Sequence, residues 1–416
     1  MRSPVHLKLD LAIRGVALSD ELVAADPHLA ARPTRDHASR EIELLLPGDV
    51  LASCPVQTRA ARNSPYRLTT DGERLRLVRQ EHSSEVIETV DVALLPAPAF
   101  HERTTSRGTP MWQVGTVHAG YVSIDPALTC HFADEGMACR FCTLAATDTA
   151  PKERRRGLRP IDEVLEVIEA AFDEGAAEFV YMHTGYFDDE DGGVTVLEPY
   201  IDAVKKRFDT LVALQMHPPP SNEWIDRTYA SGVDALSYAI EVHDPAAHAR
   251  LCSGRRELVG RERYYEALAH AAGIFPSGTV WSDLIVGLEP PASTVDGIDA
   301  LVAMGVLPVL SIFRPLDETE LADHPLPEAD DVAPLYAHLY RAVRDARINA
   351  LHMRDLDYAI TPLEARAFAE PDTALELATD ALYRSRLGAR TVRSLSRLRR
   401  RLRVRRVSES FDASHL

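Results

Sequence analysis

The sequence has few cysteines, no long apolar run and a shortage of positive charge. No apolar run in its 416 residues approaches the roughly 20 needed to span a bilayer. The amino-terminal segment has no continuous apolar stretch followed by a cleavage site. Only five cysteines occur, which is too few for a disulfide-framed secreted protein of this length. These absences predict a cytoplasmic protein without disulfide bonds.

The shortage of positive charge argues against nucleic acid as the substrate. The formal net charge is −17, although residues 384–406 hold eleven arginines and no acidic residue. A nucleic-acid enzyme is expected to carry a basic stripe on its catalytic domain, whereas here the positive charge is confined to one tail. A small-molecule substrate is therefore favoured. The tail itself is either a solvated helix on the acidic body or a site for nucleic acid or an acidic partner.

The length and the composition predict a central catalytic domain with smaller flanking domains. Hydrophobic residues make up 45% of the chain, enough to bury a core, and 416 residues exceed what one core usually serves. We assign residues 1–115 to a small β-rich accessory domain, 116–330 to the catalytic domain, and 331–416 to a helical extension that ends in the arginine-rich tail. The first domain contains strand-like runs, and no helix is predicted in it.

The middle of the chain alternates apolar strands with amphipathic helices, which is typical of parallel βαβ units. The predicted strands are 118–125, 178–183, 211–217, 235–243, 279–287 and 307–314. The predicted helices are 161–175, 196–207, 222–231, 260–273 and 294–304. Six such units predict an α/β fold, a partial (β/α)6 TIM-like barrel that is not closed.

Polar residues follow the last apolar position of most predicted strands. In parallel α/β sheets, ligands bind beyond the carboxyl ends of the strands. We therefore expect the functional site at this edge of the sheet. The candidates are Asp125, His183, Thr184, His217, Glu241, His243, Glu289 and Arg314.

Three cysteines lie within thirteen positions, directly after the first barrel strand. In CHFADEGMACRFCTLA, Cys130, Cys139 and Cys142 form a C-x8-C-x2-C pattern. Thiolates are the ligands of iron–sulfur clusters, and a C-x-x-C turn brings two of them to one centre. A structural zinc site needs a fourth protein ligand, and none has the usual spacing. An iron–sulfur cluster with one open iron is favoured, while a zinc site and unligated core cysteines stay as alternatives.

Residues 116–320 resemble the radical S-adenosylmethionine (SAM) superfamily, in its biotin-synthase-like branch. The common spacing there is C-x3-C-x2-C, so the longer first gap indicates a specialised subgroup. The resemblance implies a [4Fe–4S] cluster held by the three cysteines, SAM as the second cofactor, and an electron donor such as flavodoxin or ferredoxin.

The resemblance also implies residues that bind SAM. Phe141 and Phe313 match positions beside the adenine, and Thr184-Gly185 matches the stretch whose backbone binds the amino group. An arginine of the fourth helix, matched by Arg263, is expected at the SAM carboxylate. The remaining matched positions are Ser237, Glu241 and His243 at the ribose. Ile285 and Glu289 match the strand that ends in Gly-x-x-Glu in the family and in Gly287-Leu288-Glu289 here.

The implied reaction is hydrogen abstraction from a substrate by a 5′-deoxyadenosyl radical. We expect a small polar metabolite, such as a nucleoside or nucleotide in natural-product biosynthesis, in contact with His183, Tyr186, His217 and Arg314. Epimerisation, rearrangement, bond cleavage and sulfur insertion all remain open. Cys252 either returns a hydrogen atom to the substrate radical or is a packed apolar residue.

Two other functions stay open beside this one. The first is a radical SAM enzyme that modifies nucleic acid with the arginine-rich tail as its anchor. The second is a zinc-stabilised barrel without catalytic activity.

Overall fold

The fold is known from a computed structural model, which describes residues 3–26, 29, 41–72, 74–80, 86–118, 120–127, 129–143, 157–317, 319–350 and 360–369. The arginine-rich tail and the apolar segment 374–385 before it lie outside the described residues. Within these ranges no helix is both long enough and apolar enough to cross a bilayer.

The amino-terminal part contains a six-stranded sheet with the strand order β1-β4-β5-β6-β2-β3. Its strands are β1 Ala17–Leu18, β2 Glu41–Leu46, β3 Val50–Pro55, β4 Tyr66–Thr70, β5 Leu75–Gln80 and β6 Val86–Leu94. Burial alternates along β2, with Ile42, Leu44 and Leu46 in the core. This alternation forms because successive side chains of a strand point to opposite faces. The β-rich character predicted for this region is confirmed.

The expectation that this region has no helix is wrong. Helix α1 spans Pro4–Arg14, and two short helices follow at Asp20–Ala25 (α2) and Arg59–Arg62 (α3). The apolar residues of α1 alternate from Val5 to Ile13, a strand-like pattern, because nearly the whole circumference of the helix is buried. Ser3 caps its first turn by accepting a hydrogen bond from the amide of His6. Pro4 occupies the first helical position, where its missing N–H costs no bond.

A seven-stranded sheet forms the centre of the protein, in the order β13-β12-β11-β10-β9-β8-β7. Its strands are β7 Gly115–His118, β8 Tyr121–Ile124, β9 Phe179–His183, β10 Val212–Gln215, β11 Ala235–Ser237, β12 Val280–Val286 and β13 Leu307–Ile312. Strands β8 to β13 pair in parallel, and only β7 is antiparallel. The sheet confirms the predicted partial barrel of six parallel strands.

Helices connect the parallel strands, and the five predicted ones are present with ends shifted by a few residues. They are α6 Ile161–Asp173, α7 Val194–Arg207, α8 Asn222–Ala230, α10 Arg261–Ile274 and α11 Pro291–Ala303. The remaining helices are α4 Met111–Val114, α5 His131–Asp134, α9 Pro245–Leu251 and α12 Ala329–Asp345, with 3-10 turns at Ala99–Glu102 and Glu364–Phe368. A π-helix at Arg255–Val259 joins α9 to α10. Single π-helical turns are often found at functional sites.

The register of the sheet shows which side chains share its inner face. His183, Gln215, Ser237 and Trp281 are successive register partners on β9 to β12. Register partners on parallel strands point to the same side of the sheet. This row of four therefore faces one side of the sheet, and its three polar members, His183, Gln215 and Ser237, are the last residues of their strands.

Candidate functional site

The three predicted cluster cysteines lie on one loop after β8. Cys130 precedes the single turn of α5, and Cys139 and Cys142 follow that turn. Cys139 is buried, whereas Cys130 and Cys142 are half-buried. We call residues 129–143 the cysteine loop.

One side of the cysteine loop is bonded to the chain just after β9. The amide of Tyr186 donates to the Cys130 sulfur at 3.4 Å, and the amide of His131 donates to the Tyr186 carbonyl at 2.9 Å. Gly185 permits this approach, because a Cβ there would lie against the Thr129 carbonyl and 2.6 Å from the Cβ of Cys130. Gly185 thus packs against the cysteine loop, and its role at the SAM amino group stays a prediction.

The other side of the loop is bonded to the segment between α9 and the π-helix. The amide of Arg140 donates to the Leu251 carbonyl at 3.0 Å, and the amide of Gly254 donates to the Met137 carbonyl at 3.1 Å. A Cβ on Gly254 would lie 2.7 Å from both that carbonyl oxygen and the ring of Phe132. Sequence reasoning missed Gly254, since its partner lies more than 100 positions away.

Arg255 is the second functional candidate that sequence reasoning missed. Its buried guanidinium donates from Nε to the Cys139 sulfur at 3.3 Å and forms an ion pair with Glu241 at 3.0 Å. It also donates to the Ala239 carbonyl. The Cys252 thiol hydrogen-bonds to Cys139 as well, and this bond, followed by the charge of Arg255, lowers the pKa of Cys139. The site therefore favours a thiolate at Cys139, which is the form that ligates a metal.

Glu241 has a strained backbone at the end of β11. Its φ is 67°, a left-handed value that is uncommon for residues other than glycine. Two hydrogen bonds to β12 hold it there: its amide donates to the Asp283 carbonyl at 2.8 Å, and its carbonyl accepts from the Ile285 amide at 2.7 Å. Strained residues of this kind concentrate at functional sites, and here the strain brings the carboxylate to Arg255.

An aromatic stack supports the cysteine loop from below. Phe132 and Tyr186 are stacked with their ring centroids 4.3 Å apart, and His217 packs edge-on against both rings. The His217 Nδ1 is 2.6 Å from the Tyr264 hydroxyl. Burial, and secondarily Arg255, lowers the pKa of His217 well below its ordinary value, so this ring is neutral. The predicted substrate residues Tyr186 and His217 therefore contact the loop that carries the cysteines.

An apolar cluster surrounds Cys139 on the side of β12 and β13. Three residues predicted to bind SAM share this cluster: Phe141, Ile285 and Phe313. Its other members are Cys139, Cys142, Val242, Ala247, Leu251, Cys252, Leu288 and Leu321. Apolar side chains from three strand ends thus meet at two of the three cysteines.

The interior of the half-barrel next to the cysteine loop is polar. Asp125 and His183 are joined at 2.7 Å. Gln215 donates to Asp283 at 2.9 Å and accepts from the Tyr181 hydroxyl at 2.9 Å. The hydroxyls of Ser123, Thr184 and Ser237 are buried without a hydrogen-bond partner among the described residues. A buried hydroxyl without a partner costs free energy, so a polar ligand in this interior would be stabilised.

The contacts of four other predicted residues lie away from the cysteines. Arg263 donates to the Pro219 carbonyl and to Asn222, both at 2.8 Å, between β10 and α8. Arg314 pairs with Glu41 of the amino-terminal sheet.

His243 and Glu289 bond to residues near the starts of α9, α10 and α11. The His243 Nδ1 is 2.7 Å from the Tyr265 hydroxyl, and a Cβ on Gly297 would touch its ring. Glu289 accepts from the Asp244 amide at 2.6 Å and from Thr294 at 3.2 Å, and burial raises the pKa of its carboxyl. Both side chains therefore anchor helices in the structure as it stands.

Comparison with known proteins finds one sequence relative and several solved structures. No family model matches the sequence. The bacteriochlorophyllide c C-7(1)-hydroxylase of Chlorobaculum limnaeum is 22% identical over 243 residues, which are 54% of this chain and 60% of that protein. The superposition with methylornithine synthase covers 54% of this chain and 64% of the synthase, with 12% identity and a TM-score of 0.43. A radical SAM methyltransferase from Sphaerobacter thermophilus superposes on 68% and 76%, with 14% identity and a TM-score of 0.40.

The cysteines occupy a defined position in the fold. Three thiols lie on the loop after the first parallel strand of an open six-unit half-barrel, and peptide and guanidinium N–H groups donate to two of the sulfurs. In this arrangement the chain is similar to radical SAM enzymes. Radical SAM enzymes use SAM and an iron–sulfur cluster together with a reductant.

The residues present fit a cluster of this kind. Among the described residues no three His, Cys, Asp or Glu side chains lie close enough to hold a single metal ion. In a cluster of four irons each thiolate ligates a different iron, so the ligands of such a cluster stand further apart than those of one ion. Hydrogen bonds to the sulfurs are a usual feature of iron–sulfur sites, and the Cys130 and Cys139 sulfurs of this protein accept them.

Proposed function

We propose that this enzyme holds a [4Fe–4S] cluster on Cys130, Cys139 and Cys142 and uses it with SAM on a small polar metabolite. When bound, these two cofactors supply a 5′-deoxyadenosyl radical that abstracts a hydrogen atom from the substrate. The observation that carries the proposal is the cysteine loop, which follows β8 and is hydrogen-bonded on one side to the chain after β9 and on the other to the chain after α9. The chain's own share is to fix the ligands, orient SAM and shape the substrate site.

The three cysteines allow a direct test of this proposal. Replacing any one of them with alanine leaves too few thiolates, so we expect loss of iron–sulfur absorbance and of 5′-deoxyadenosine formation after anaerobic reconstitution. Cys54→Ala is the matched control, because Cys54 is buried in the amino-terminal sheet. Iron content and 5′-deoxyadenosine are measured on each purified variant. An alanine variant of the loop that kept both would remove that cysteine from the ligand set.

We propose Arg255 as the arginine that binds the SAM carboxylate, in place of Arg263. Arg255 lies beside Cys139 and the apolar residues expected at the adenine, whereas the contacts of Arg263 are with Pro219 and Asn222. A charge-assisted hydrogen bond contributes about 1.5–3 kcal/mol. We expect Arg255→Met to weaken SAM binding by roughly tenfold or more, with Arg263→Met near the parent value. Calorimetric titration measures the SAM affinity of both reconstituted variants. A larger loss of affinity in Arg263→Met than in Arg255→Met would return this role to Arg263.

The polar interior supports a small substrate with hydroxyl or amino groups, such as a nucleoside or nucleotide. Asp125, His183, Gln215 and Asp283 line the half-barrel with hydrogen-bonding groups. A ligand with hydroxyl or amino groups would also give hydrogen-bond partners to the buried hydroxyls of Ser123, Thr184 and Ser237. The chlorophyllide class named for the hydroxylase relative is the competing candidate.

Substrate stimulation of 5′-deoxyadenosine formation tests this part of the proposal. We expect nucleosides or nucleotides in a panel to stimulate it and a chlorophyllide to have no effect. In Asp125→Asn the unstimulated rate should persist while the stimulation is lost, because the carboxylate of Asp125 is bonded to His183 in the polar interior. Stimulation by the chlorophyllide alone would move the proposal to the reaction of the relative.

A further inference from the structure

Cys252 lies against Cys139 in the buried cluster behind the cysteine loop. It follows the last residue of α9, is fully buried, and belongs to the same apolar cluster as Cys139. The two thiols share a side-chain hydrogen bond. The sulfur expected to return hydrogen to a substrate therefore contacts a sulfur expected to bind iron.

Backbone hydrogen bonds bracket the two cysteines and fix their separation. The peptide unit that joins Cys139 to Arg140 donates its N–H to the carbonyl oxygen of the peptide unit that joins Leu251 to Cys252. The nitrogen and the oxygen are 3.0 Å apart. Standard peptide dimensions then place the two Cα atoms no more than about 8 Å apart. The second bond, from Gly254 to Met137, closes the other end of the pair at 3.1 Å. Disulfides usually have Cα separations of about 4.4–6.8 Å, so only a small approach is needed.

We propose that Cys139 and Cys252 are a redox-sensitive thiol pair that closes to a disulfide when the cluster is absent. Peroxide oxidises the Cys139 sulfur to a sulfenic acid, and its other oxygen leaves as water. The Cys252 sulfur then attacks the sulfenic sulfur, the S–S bond forms, and a second water leaves. Two thiols are thus oxidised to one disulfide, and one hydrogen peroxide is reduced to two waters.

The burial of the pair decides which cysteine reacts first. Cys139 is 7% exposed and Cys252 is 0% exposed, so a small oxidant reaches Cys139, and Cys252 acts as the resolving thiol. The disulfide stops further oxidation of Cys139 to sulfinic acid, which thiol reductants do not reverse. Reduction by a thiol then restores a ligand able to receive iron. The consequence for iron loading rests on the proposed function, whereas the disulfide itself does not.

The test uses the full chain in its cluster-free form, treated with hydrogen peroxide under anaerobic conditions. Remaining thiols are alkylated, and peptides are mapped by mass spectrometry without reduction. We expect a linked peptide joining Cys139 to Cys252, which disappears on reduction. In Cys252→Ser the link should be lost and Cys139 should be recovered as sulfinic or sulfonic acid. Cys54→Ser is the matched control and should keep the link.

Other outcomes separate this inference from the proposed function. A dominant link from Cys139 to Cys130 or Cys142, or equal overoxidation of Cys139 with and without Cys252, would overturn the inference. If the link forms but the chain never binds iron, the proposed function fails and the thiol pair stands. If the parent regains iron after peroxide and dithiothreitol while Cys252→Ser does not, both stand together.

Discussion

At the scale of single residues, the site depends on two glycines, which have no side chain. Gly185 and Gly254 face the cysteine loop from opposite sides, and each lies where a Cβ would overlap backbone atoms of the loop or the ring of Phe132. Interiors are packed closely enough that one extra methyl group forces its neighbours to move. The two glycines therefore set how near the loop comes to the ends of β9 and α9.

We expect Gly185→Ala to reduce cluster loading without unfolding the protein. The added methyl group must push Thr129 and Cys130 away, which moves one ligand relative to the other two. Gly273→Ala is the matched control, since a Cβ at that position in α10 meets no atom within 4 Å. Iron per chain after reconstitution, together with the circular dichroism spectrum, separates the two effects. Full iron loading in Gly185→Ala would show that the loop accommodates the methyl group.

At the scale of elements, local patterns predicted the barrel, and distant contacts escaped prediction. Helix α6 was predictable because Val164, Val167, Ile168 and Ala171 follow a helical period with one buried face. Helix α1 was not, because it is buried on nearly all sides and its apolar residues alternate like those of a strand. The bond from Arg255 to Cys139 joins positions 116 apart, and no local pattern carries such information.

Helix α1 also carries a buried ion pair that allows a test of its packing. Lys8 and Glu364 meet at 2.9 Å, with side chains 4% and 13% exposed. Removing one partner of a buried pair leaves an uncompensated charge, at about 3 kcal/mol. We expect Lys8→Ala to lower the free energy of unfolding by about this amount in urea denaturation. Lys206→Ala, which breaks an exposed pair with Asp202, should change it by less than about 0.5 kcal/mol. Equal effects would contradict a structural role for the buried pair.

At the scale of the whole molecule, the amino-terminal sheet holds the segment that follows β13. Arg314 pairs with Glu41 and donates to the Ala12 carbonyl, while Arg59 pairs with Asp317 and Asp323 farther along. This segment begins directly after Phe313, which packs in the apolar cluster beside Cys139. The accessory sheet therefore positions one wall of the proposed SAM site.

We expect Glu41→Gln to weaken SAM binding several-fold and to leave iron content unchanged. The substitution removes the charge that fixes Arg314, so the chain after β13 loses an anchor, while the cysteine loop keeps its own bonds. Arg74→Gln serves as the control, because it breaks an exposed pair within the same sheet. Iron assay and SAM titration are made on the same preparations. Loss of iron in Glu41→Gln would show that the sheet acts on the cysteine loop instead.

The two-sided attachment of the cysteine loop also sets the order of biogenesis. Its hydrogen-bond partners Tyr186, Leu251 and Gly254 leave the ribosome well after the cysteines themselves. A nascent chain that ended shortly after Cys142 would lack the hydrogen-bond donors and the glycines that hold the cysteine loop in place. With the proposed cluster on these cysteines, metal delivery is therefore a late event that follows folding of the half-barrel through β11 and α9.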